Sequence, residues 1–170
     1  MKLNKIYNDN CIKILKTLPE NSINCIITSP PYNKGSAKGK NNWFAKINYD
    51  IYSDDKNELE YELWQVEILK ECLRILKKDG SIFYNHKPRQ VNNKIILPTN
   101  WLKNFDIRQI IIWQRTGSPN ISPICFMQNT EWIIWIKKGI PKFHSKYFNL
   151  GEVWKINPEI NSEHPAPFPI

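Results

Sequence analysis

Several features that identify a function quickly are missing from this sequence of 170 residues. The four cysteines, Cys11, Cys25, Cys72 and Cys125, are scattered and form no C-x-x-C pair, and the three histidines are not spaced as metal ligands. We therefore expect reduced thiols, a cytoplasmic location and no metal site.

Long apolar runs and a glycine-rich loop are also missing. The longest apolar runs, such as 110–113 and 132–136, are far shorter than the roughly 20 residues of a membrane-spanning helix, and residues 1–5 lead into no apolar signal segment. We therefore expect no association with a membrane. None of the six glycines lies in a G-x-G pattern, which argues against a glycine-rich nucleotide loop within these residues.

Basic and aromatic residues are plentiful. Lysine and arginine total 24 against 16 acidic residues, for a net charge of +8, and seven tryptophans contribute to an aromatic content of 12%. A basic protein suits a polyanionic partner such as nucleic acid. A codon usage rich in lysine would give the same balance, so charge alone does not identify the partner.

The pattern of apolar residues predicts alternating helices and strands. A helix follows the capping residues Asn8–Asn10, and a longer one covers Glu58–Lys77 with Gly80 as its terminator. The apolar face of the longer helix is Leu63, Val66, Leu69, Leu73 and Leu76. Strands are predicted at Ile23–Thr28 (buried), Ser81–Tyr84, Ile107–Gln114, Glu131–Lys137 and Val153–Ile156. This alternation predicts an α/β fold in one domain, residues 1–170.

The segment Thr28-Ser29-Pro30-Pro31-Tyr32 carries the clearest chemical signal, because it follows a predicted strand where open α/β sheets place ligands. Two prolines remove two backbone donors and stiffen the turn, so the Ser29 hydroxyl and the Pro30 carbonyl become hydrogen-bond acceptors. Acceptors beside an aromatic ring suit a planar ring that bears an amino group, with Tyr32 stacking on it. Taken alone, Ser29-Pro30-Pro31-Tyr32 more often makes only a tight turn, and the strand before it and the basic segment after it favour a functional site.

An exocyclic amino group is a poor nucleophile because its lone pair is delocalised into the ring. Hydrogen bonds from its two hydrogens to Ser29 and to the Pro30 carbonyl would draw the nitrogen toward tetrahedral geometry and free the lone pair. Catalysis would then consist of positioning and charge stabilisation. A base within duplex DNA would have to be flipped out of the stack.

The segment resembles the (S/N/D)-P-P-(Y/F) motif of amino-group DNA methyltransferases, and the whole chain resembles their permuted β class, in which that motif comes early. His164-Pro165-Ala166-Pro167-Phe168-Pro169 is similar to the family's H-P-(A/T)-P-F-P element. The resemblance implies a Rossmann-like sheet with helices on both faces, S-adenosylmethionine as the cofactor and double-stranded DNA as the substrate. It implies catalytic roles for Ser29–Tyr32, and cofactor contacts by Asp9, His164, Pro165 and Phe168. Residues 130–135 resemble the late strand that flanks the target-base pocket.

In the family, a glycine-rich cofactor turn and three more strands follow the element that residues 164–169 resemble. The given sequence ends at residue 170 and does not include them, so the resemblance implies that residues 1–170 are the target-base-binding part of a methyltransferase domain that is incomplete at its C-terminal end. We therefore expect a partial sheet in which the strand Ile23–Thr28 lies at an open edge. We also expect weak or no binding of S-adenosylmethionine by this chain alone, and binding restored by a complementary chain that carries the glycine-rich half.

The short distance between residues 140 and 163 leaves little room for a target-recognition domain. Candidate phosphate contacts are Lys34, Lys38, Lys40, Arg89, Lys94 and Arg115, although each could be an ordinary solvated charge. Serine at the first motif position is more often associated with cytosine N4 than with adenine N6 in this family.

Two other functions remain open from the sequence. The diproline turn could hold an RNA base or a glutamine amide, although those enzymes generally carry Asn before the prolines. The chain could also be a non-catalytic DNA-binding remnant, or one subunit of a split methyltransferase.

Overall fold

A mixed β-sheet forms the centre of the fold. The computed structural model describes residues 4–33, 54–92, 94–116 and 125–157. Its strands are β1 (Ile23–Thr28), β2 (Leu76–His86), β3 (Arg89–Val91), β4 (Lys94–Ile96), β5 (Ile107–Gln114), β6 (Thr130–Lys137) and β7 (Val153–Lys155). Five of them form one sheet in the order β1–β2–β6–β5–β7, while β3 and β4 pair separately. β1 is parallel to β2 and β5 is parallel to β7, whereas β6 is antiparallel to both of its neighbours.

Within the described residues, three α-helices accompany the sheet: α1 (Cys11–Thr17), α2 (Glu58–Ile75) and α3 (Thr99–Leu102). Asn10 caps α1 by accepting hydrogen bonds from the backbone N–H groups of Ile12 and Lys13, as its position before the helix predicts. Asn57 caps α2 by accepting a hydrogen bond from the N–H of Glu60 at 2.9 Å. Both helix starts are therefore fixed by the side chain that directly precedes them.

The helices pack on one face of the sheet, where they bury the main core. Its fully buried members come from α2, β2, α3 and β6: Tyr61, Leu69, Ile82, Tyr84, Leu102, Ile134 and Ile136. The opposite face carries Phe83 and Trp135, whose rings stack with centroids 5.3 Å apart. A cavity of about 740 Å³ on that face is lined by these rings and by Phe143, Tyr147 and Trp154. Among the described residues, the expected helical layer is therefore present on one face of this α/β sheet only.

Helix α2 differs from its prediction in its end and in its buried face. It ends at Ile75 instead of Lys77, and Gly80 lies inside β2, where a Cβ would come within 2.9 Å of the Asn24 carbonyl oxygen. Leu63, which the apolar pattern places in the core, is 60% exposed. The buried side of the helix instead includes Tyr61 and the polar Gln65, because the Tyr84 hydroxyl donates a hydrogen bond to Gln65 at 2.8 Å.

Strand β1 lies at one edge of the sheet as far as the described residues extend. The expectation that it is buried is wrong, since Ile27 is 81% exposed and Cys25 is exposed. The expectation of an open edge is met, because β1 pairs only with β2 within these residues. In the part of the chain that the structure describes, β1 therefore has a neighbouring strand on one side only.

Cys11, Cys25 and Cys72 are free thiols. Cys11, Cys25 and Cys125 are exposed, and burial raises the pKa of Cys72 to about 12. Among the described residues, no helix is long and apolar enough to cross a membrane.

Candidate functional site

The turn after β1 is fastened to the start of α2. Asn33 adopts a φ of 52°, a left-handed conformation that asparagine tolerates better than most residues. Its side chain exchanges hydrogen bonds with the backbone of Lys56, and its backbone N–H donates to Asp54 at 2.7 Å. The Ser29–Tyr32 segment is therefore held at both of its ends, by β1 and by Asn33.

A polar cluster, hereafter the Glu131 cluster, surrounds the first motif residue. The hydroxyl oxygens of Ser29 and Tyr32 are 3.0 Å apart, and the Tyr32 hydroxyl donates to Glu131 Oε2 at 3.1 Å. Asn85, from the end of β2, donates through Nδ2 to Glu131 Oε2 and to the Tyr32 oxygen, both at 3.0 Å. Arg115 Nη2 lies 3.4 Å from Glu131 Oε1. Four elements of the fold thus converge on the Ser29 hydroxyl, which is itself exposed.

Burial determines the protonation of Tyr32. Burial first, and then the negative charge of Glu131, raises the pKa of the Tyr32 hydroxyl above its ordinary value. The hydroxyl therefore keeps its proton at neutral pH and acts as a donor to the carboxylate.

A second cluster, hereafter the His86 cluster, holds the backbone of the same turn. The Tyr61 hydroxyl donates to the Pro31 carbonyl oxygen at 2.8 Å and lies 2.8 Å from His86 Nε2. Because Tyr61 has one proton and gives it to Pro31, His86 must donate from Nε2 to the Tyr61 oxygen. The Lys87 backbone N–H then donates to His86 Nδ1 at 2.9 Å.

The His86 ring is fully buried among aromatic rings. It lies 4.7 Å from the Tyr32 ring, 5.1 Å from the Trp101 ring and 5.7 Å from the Tyr84 ring, measured between centroids. Burial lowers the pKa of His86 to about 3, so the ring is neutral at physiological pH. The two nitrogens of a neutral ring match the donor and acceptor roles that the hydrogen bonds require.

The two arginines expected to contact phosphates are engaged with carboxylates. Arg89 is 5% exposed, and its guanidinium contacts both oxygens of Glu58, at 2.6 and 3.1 Å. Hydrogen bonding from Arg89 lowers the pKa of Glu58. Arg115 pairs with Glu131 in the Glu131 cluster. A buried, paired Arg89 is not positioned to contact a phosphate, so that expectation is corrected to an internal ion pair.

Of the four lysines predicted to contact phosphates, the structure describes only Lys94. Lys94 begins β4 and is exposed, as a phosphate contact requires. Lys34, Lys38 and Lys40 lie outside the described residues.

A groove of about 670 Å³ lies beside the motif turn. Its lining includes Asn33, Lys87, the fully exposed Phe126 and Gln128. The Lys87 ammonium lies 5.9 Å from the centroid of the Tyr32 ring. The groove therefore presents a cation and an aromatic side chain next to the diproline turn.

The structure describes one of the four predicted cofactor residues, Asp9. Asp9 precedes α1 with its side chain 48% exposed, and its Oδ1 accepts from the Asn10 N–H and lies 3.7 Å from Lys13 Nζ. His164, Pro165 and Phe168 lie outside the described residues. No cluster of three or more His, Cys, Asp or Glu side chains that could hold a metal ion occurs within the described ranges.

Comparison with known proteins gives the family. A family model described as DNA methylase matches residues 23–170. The Type II methyltransferase M2.MboI of Moraxella bovis is 31% identical over 160 residues, which cover 89% of this chain and 55% of that relative. The chain therefore belongs to the DNA methylase family, and it spans about half the length of this relative.

Solved structures show the same fold. The PvuII DNA methyltransferase (cytosine-N4-specific) aligns with a TM-score of 0.68 at 18% identity, over 96% of this chain and 65% of that one. A DNA modification methylase from Thermus thermophilus, solved in complex with S-adenosyl-L-methionine, aligns with a TM-score of 0.56 at 18% identity, over 88% of this chain and 65% of that one. The predicted Rossmann-like α/β architecture is confirmed by this likeness.

Sequence reasoning missed several residues of the two clusters. Asn85 and His86 follow the predicted end of the strand Ser81–Tyr84, and β2 in fact continues through both of them. Since β2 is parallel to β1, polar residues at its end had to lie near Ser29. Tyr61 lies 30 positions from Pro31 and Glu131 lies 99 positions from Tyr32. The family resemblance points to residues 130–135 as a group, but no local signal singles out either residue.

Proposed function

We propose that this protein transfers a methyl group from S-adenosylmethionine to the exocyclic amino group of a flipped DNA base, cytosine N4 or adenine N6. The observation that carries the proposal is the exposed Ser29 hydroxyl at the carboxyl end of β1, joined to a buried carboxylate through Tyr32. An oxygen held in this way is a preorganised acceptor for an amino hydrogen.

In this proposal the turn supplies the two acceptors that an amino group needs. Ser29 accepts one amino hydrogen and the carbonyl of Pro30 accepts the other. The neighbouring Pro31 carbonyl is bound by Tyr61, so it fixes the turn and does not serve as the second acceptor. Both hydrogen bonds favour a pyramidal nitrogen, whose lone pair then points at the methyl donor.

S-adenosylmethionine would supply an electrophilic methyl group at this site. Asp9 suits a cofactor contact because its carboxylate is exposed and lies in front of α1, where an amine or hydroxyl can reach it. His164, Pro165 and Phe168 are assigned to the methionine end by the family resemblance alone. The cofactor assignment therefore depends on direct binding measurements.

Double-stranded DNA is the proposed substrate. The net charge of +8 favours a phosphate backbone. The groove beside the turn adds the exposed Phe126 and Lys87, whose ammonium lies near the Tyr32 ring. A flipped base needs stacking surfaces and acceptors together, and both occur at the turn. The phosphate contacts proposed for Lys34, Lys38, Lys40 and Lys94 belong to the same assignment.

The open edge of β1 favours a second proposal about assembly. A further strand, from the same protein or from a complementary chain, would pair with β1 and cover Ile27 and Cys25. We propose that such a segment completes the cofactor site. If it does not, the chain would act as a DNA-binding module without catalysis.

The test combines cofactor binding with methyl transfer. Isothermal titration of this chain with S-adenosylmethionine, with and without duplex DNA, measures binding, and transfer of labelled methyl groups to duplex DNA, RNA and protein substrates identifies the acceptor. Methylated cytosine N4 or adenine N6 supports the proposal, and chromatography of the hydrolysed bases separates the two. Salt-sensitive DNA binding without transfer, even after addition of a relative's glycine-rich segment, would support the non-catalytic module.

A further inference from the structure

We propose that Glu131 is a positioning residue that sets the direction of the hydrogen bonds around Ser29, so that the Ser29 oxygen faces the target amino group as an acceptor. This inference rests on the proposed function, because it explains how the same site would hold an amine. The family resemblance places residues 130–135 of β6 beside the target-base pocket, and the inference adds an orienting role for one of them, Glu131.

The direction follows from counting protons. The ionised carboxylate of Glu131 can only accept, so the Tyr32 hydroxyl must give it the single phenolic proton across 3.1 Å. Tyr32 then has no proton left for Ser29, and the 3.0 Å contact between their oxygens must be donated by Ser29. With its own proton directed at Tyr32 and one lone pair accepting from Asn85 Nδ2 at 3.4 Å, Ser29 offers its remaining lone pair, not a hydrogen, toward the open side of the site.

Asn85 is oriented by the same carboxylate. Its Nδ2 lies 3.0 Å from Glu131 Oε2, so the amide must present its NH₂ group there, because the reversed amide would set two acceptors against each other. This orientation leaves Asn85 Oδ1 buried without a hydrogen-bond partner among the residues that the structure describes. Leaving an amide oxygen unpaired is costly, which indicates that the donor side of Asn85 is the one the site requires.

Glu131 is surrounded by hydrogen-bond donors. Its side chain is 8% exposed and contacts three donor groups, from Tyr32, Asn85 and Arg115. The guanidinium of Arg115 pairs with the carboxylate, whose oxygens can only accept hydrogen bonds. A merely structural ion pair would not need the Tyr32 hydroxyl.

Glu131→Gln tests the direction of the hydrogen bonds around Ser29, because it keeps the size of the side chain and replaces one acceptor by an NH₂ donor. If that NH₂ faces Tyr32, the phenol must accept from it and donate to Ser29, and the Ser29 proton would then point toward the target amine. We expect kcat for methyl transfer to fall about 10- to 100-fold with little change in KM for DNA. The matched control is Glu67→Gln, which removes an exposed ion pair with Lys16 on α1.

The readout that does not depend on activity is the NMR signal of the Tyr32 ζ carbon in protein with ¹³Cζ-labelled tyrosine. Tyr32→Phe assigns the signal among the seven tyrosines. In the wild type we expect the downfield position of a phenol that donates to a carboxylate, with an upfield shift in Glu131→Gln and none in Glu67→Gln. A wild-type signal at the position of an exposed tyrosine, or a signal that Glu131→Gln leaves unchanged, overturns the proposal.

The kinetic measurement separates this proposal from the proposed function. If the NMR shifts occur but the wild type transfers no methyl group to DNA, even after addition of a relative's glycine-rich segment, the hydrogen-bond direction stands and the proposed function fails. If the wild type is active and Glu131→Gln keeps its kcat, the positioning role is overturned. If circular dichroism shows that Glu131→Gln is unfolded, Tyr32→Phe takes its place in the kinetic assay, with the same expected loss of kcat and the same contradicting outcome.

Discussion

The Glu131 cluster and the His86 cluster hold the same turn in different ways. The Glu131 cluster is charged, contacts side-chain hydroxyls and ends at the exposed Ser29, whereas the His86 cluster is neutral, aromatic and buried, and contacts the Pro31 carbonyl. The difference indicates that the two clusters have separate roles. One cluster sets the chemistry of the turn and the other sets its shape, so substitutions in the two clusters should affect different measurements.

The largest effect is expected from Ser29→Ala, which removes the proposed acceptor and little else. We expect methyl transfer to fall about 100-fold or more, as it does when one preorganised hydrogen-bonding group is removed from an active site. Because Ser29 is exposed, urea unfolding should change by less than about 0.5 kcal/mol. Labelled-methyl transfer and equilibrium unfolding check the two parts, and unchanged transfer would exclude Ser29 as the acceptor.

Tyr61→Phe, in the His86 cluster, should lower the free energy of unfolding more than Ser29→Ala does. The substitution leaves the Pro31 carbonyl and His86 Nε2 without their shared partner, and we expect a loss of about 1–3 kcal/mol in the free energy of unfolding. Urea denaturation measures it. The matched control is Tyr147→Phe, which changes a half-exposed tyrosine on the other face of the sheet. An equal, small effect of both substitutions would contradict the role assigned to Tyr61.

The same contrast explains what the sequence could predict. Ser29 is predicted because it lies in the motif itself. Asn85 is missed because the predicted strand ends at Tyr84, although the parallel pairing of β1 and β2 places the end of β2 beside the motif. Tyr61 and Gln65 could not be found in this way, because α2 buries two polar side chains that hydrogen-bond to His86 and Tyr84. An apolar pattern therefore selected Leu63 for the core, although Leu63 is exposed.

Strand assignments succeeded for a physical reason as well. The apolar, β-branched runs in β5 and β6 pair with each other over most of their length, so local preference and tertiary context agree. In β1 they disagree, since the same composition lies at an open edge. Burial depends on which strands are neighbours, and this cannot be inferred from the strand itself.

The titration of His86 should give a pH dependence of stability that belongs to the His86 cluster alone. Its folded pKa of about 3 lies below the ordinary value of 6.5, so the unfolded state binds the proton more readily as the pH falls below 6.5. The contribution is fully present above pH 6.5 and is lost progressively down to about pH 3. Between pH 6.5 and pH 5 we expect a loss of about 2 kcal/mol from this group.

Urea unfolding at several pH values measures that slope, and His86→Gln should remove it. His144→Gln is the matched control, since His144 is exposed at the start of the short 3₁₀ helix Ser145–Tyr147. A slope that persists in His86→Gln and disappears in His144→Gln would assign the titration to His144 instead.

The smallest effect is expected for Arg115→Met, which tests whether Arg115 contacts a DNA phosphate. Phosphate contacts release counterions, so the loss of one contact lowers the salt dependence of DNA binding by about one unit on a log–log scale. Since Arg115 pairs with Glu131 inside the Glu131 cluster, we expect Arg115→Met to reduce methyl transfer while leaving that salt slope unchanged. Lys94→Met, at an exposed position on β4, should do the reverse. Fluorescence anisotropy with labelled duplex DNA at several salt concentrations gives the slopes. A lower slope for Arg115→Met would show that Arg115 contacts a DNA phosphate, as the sequence predicts.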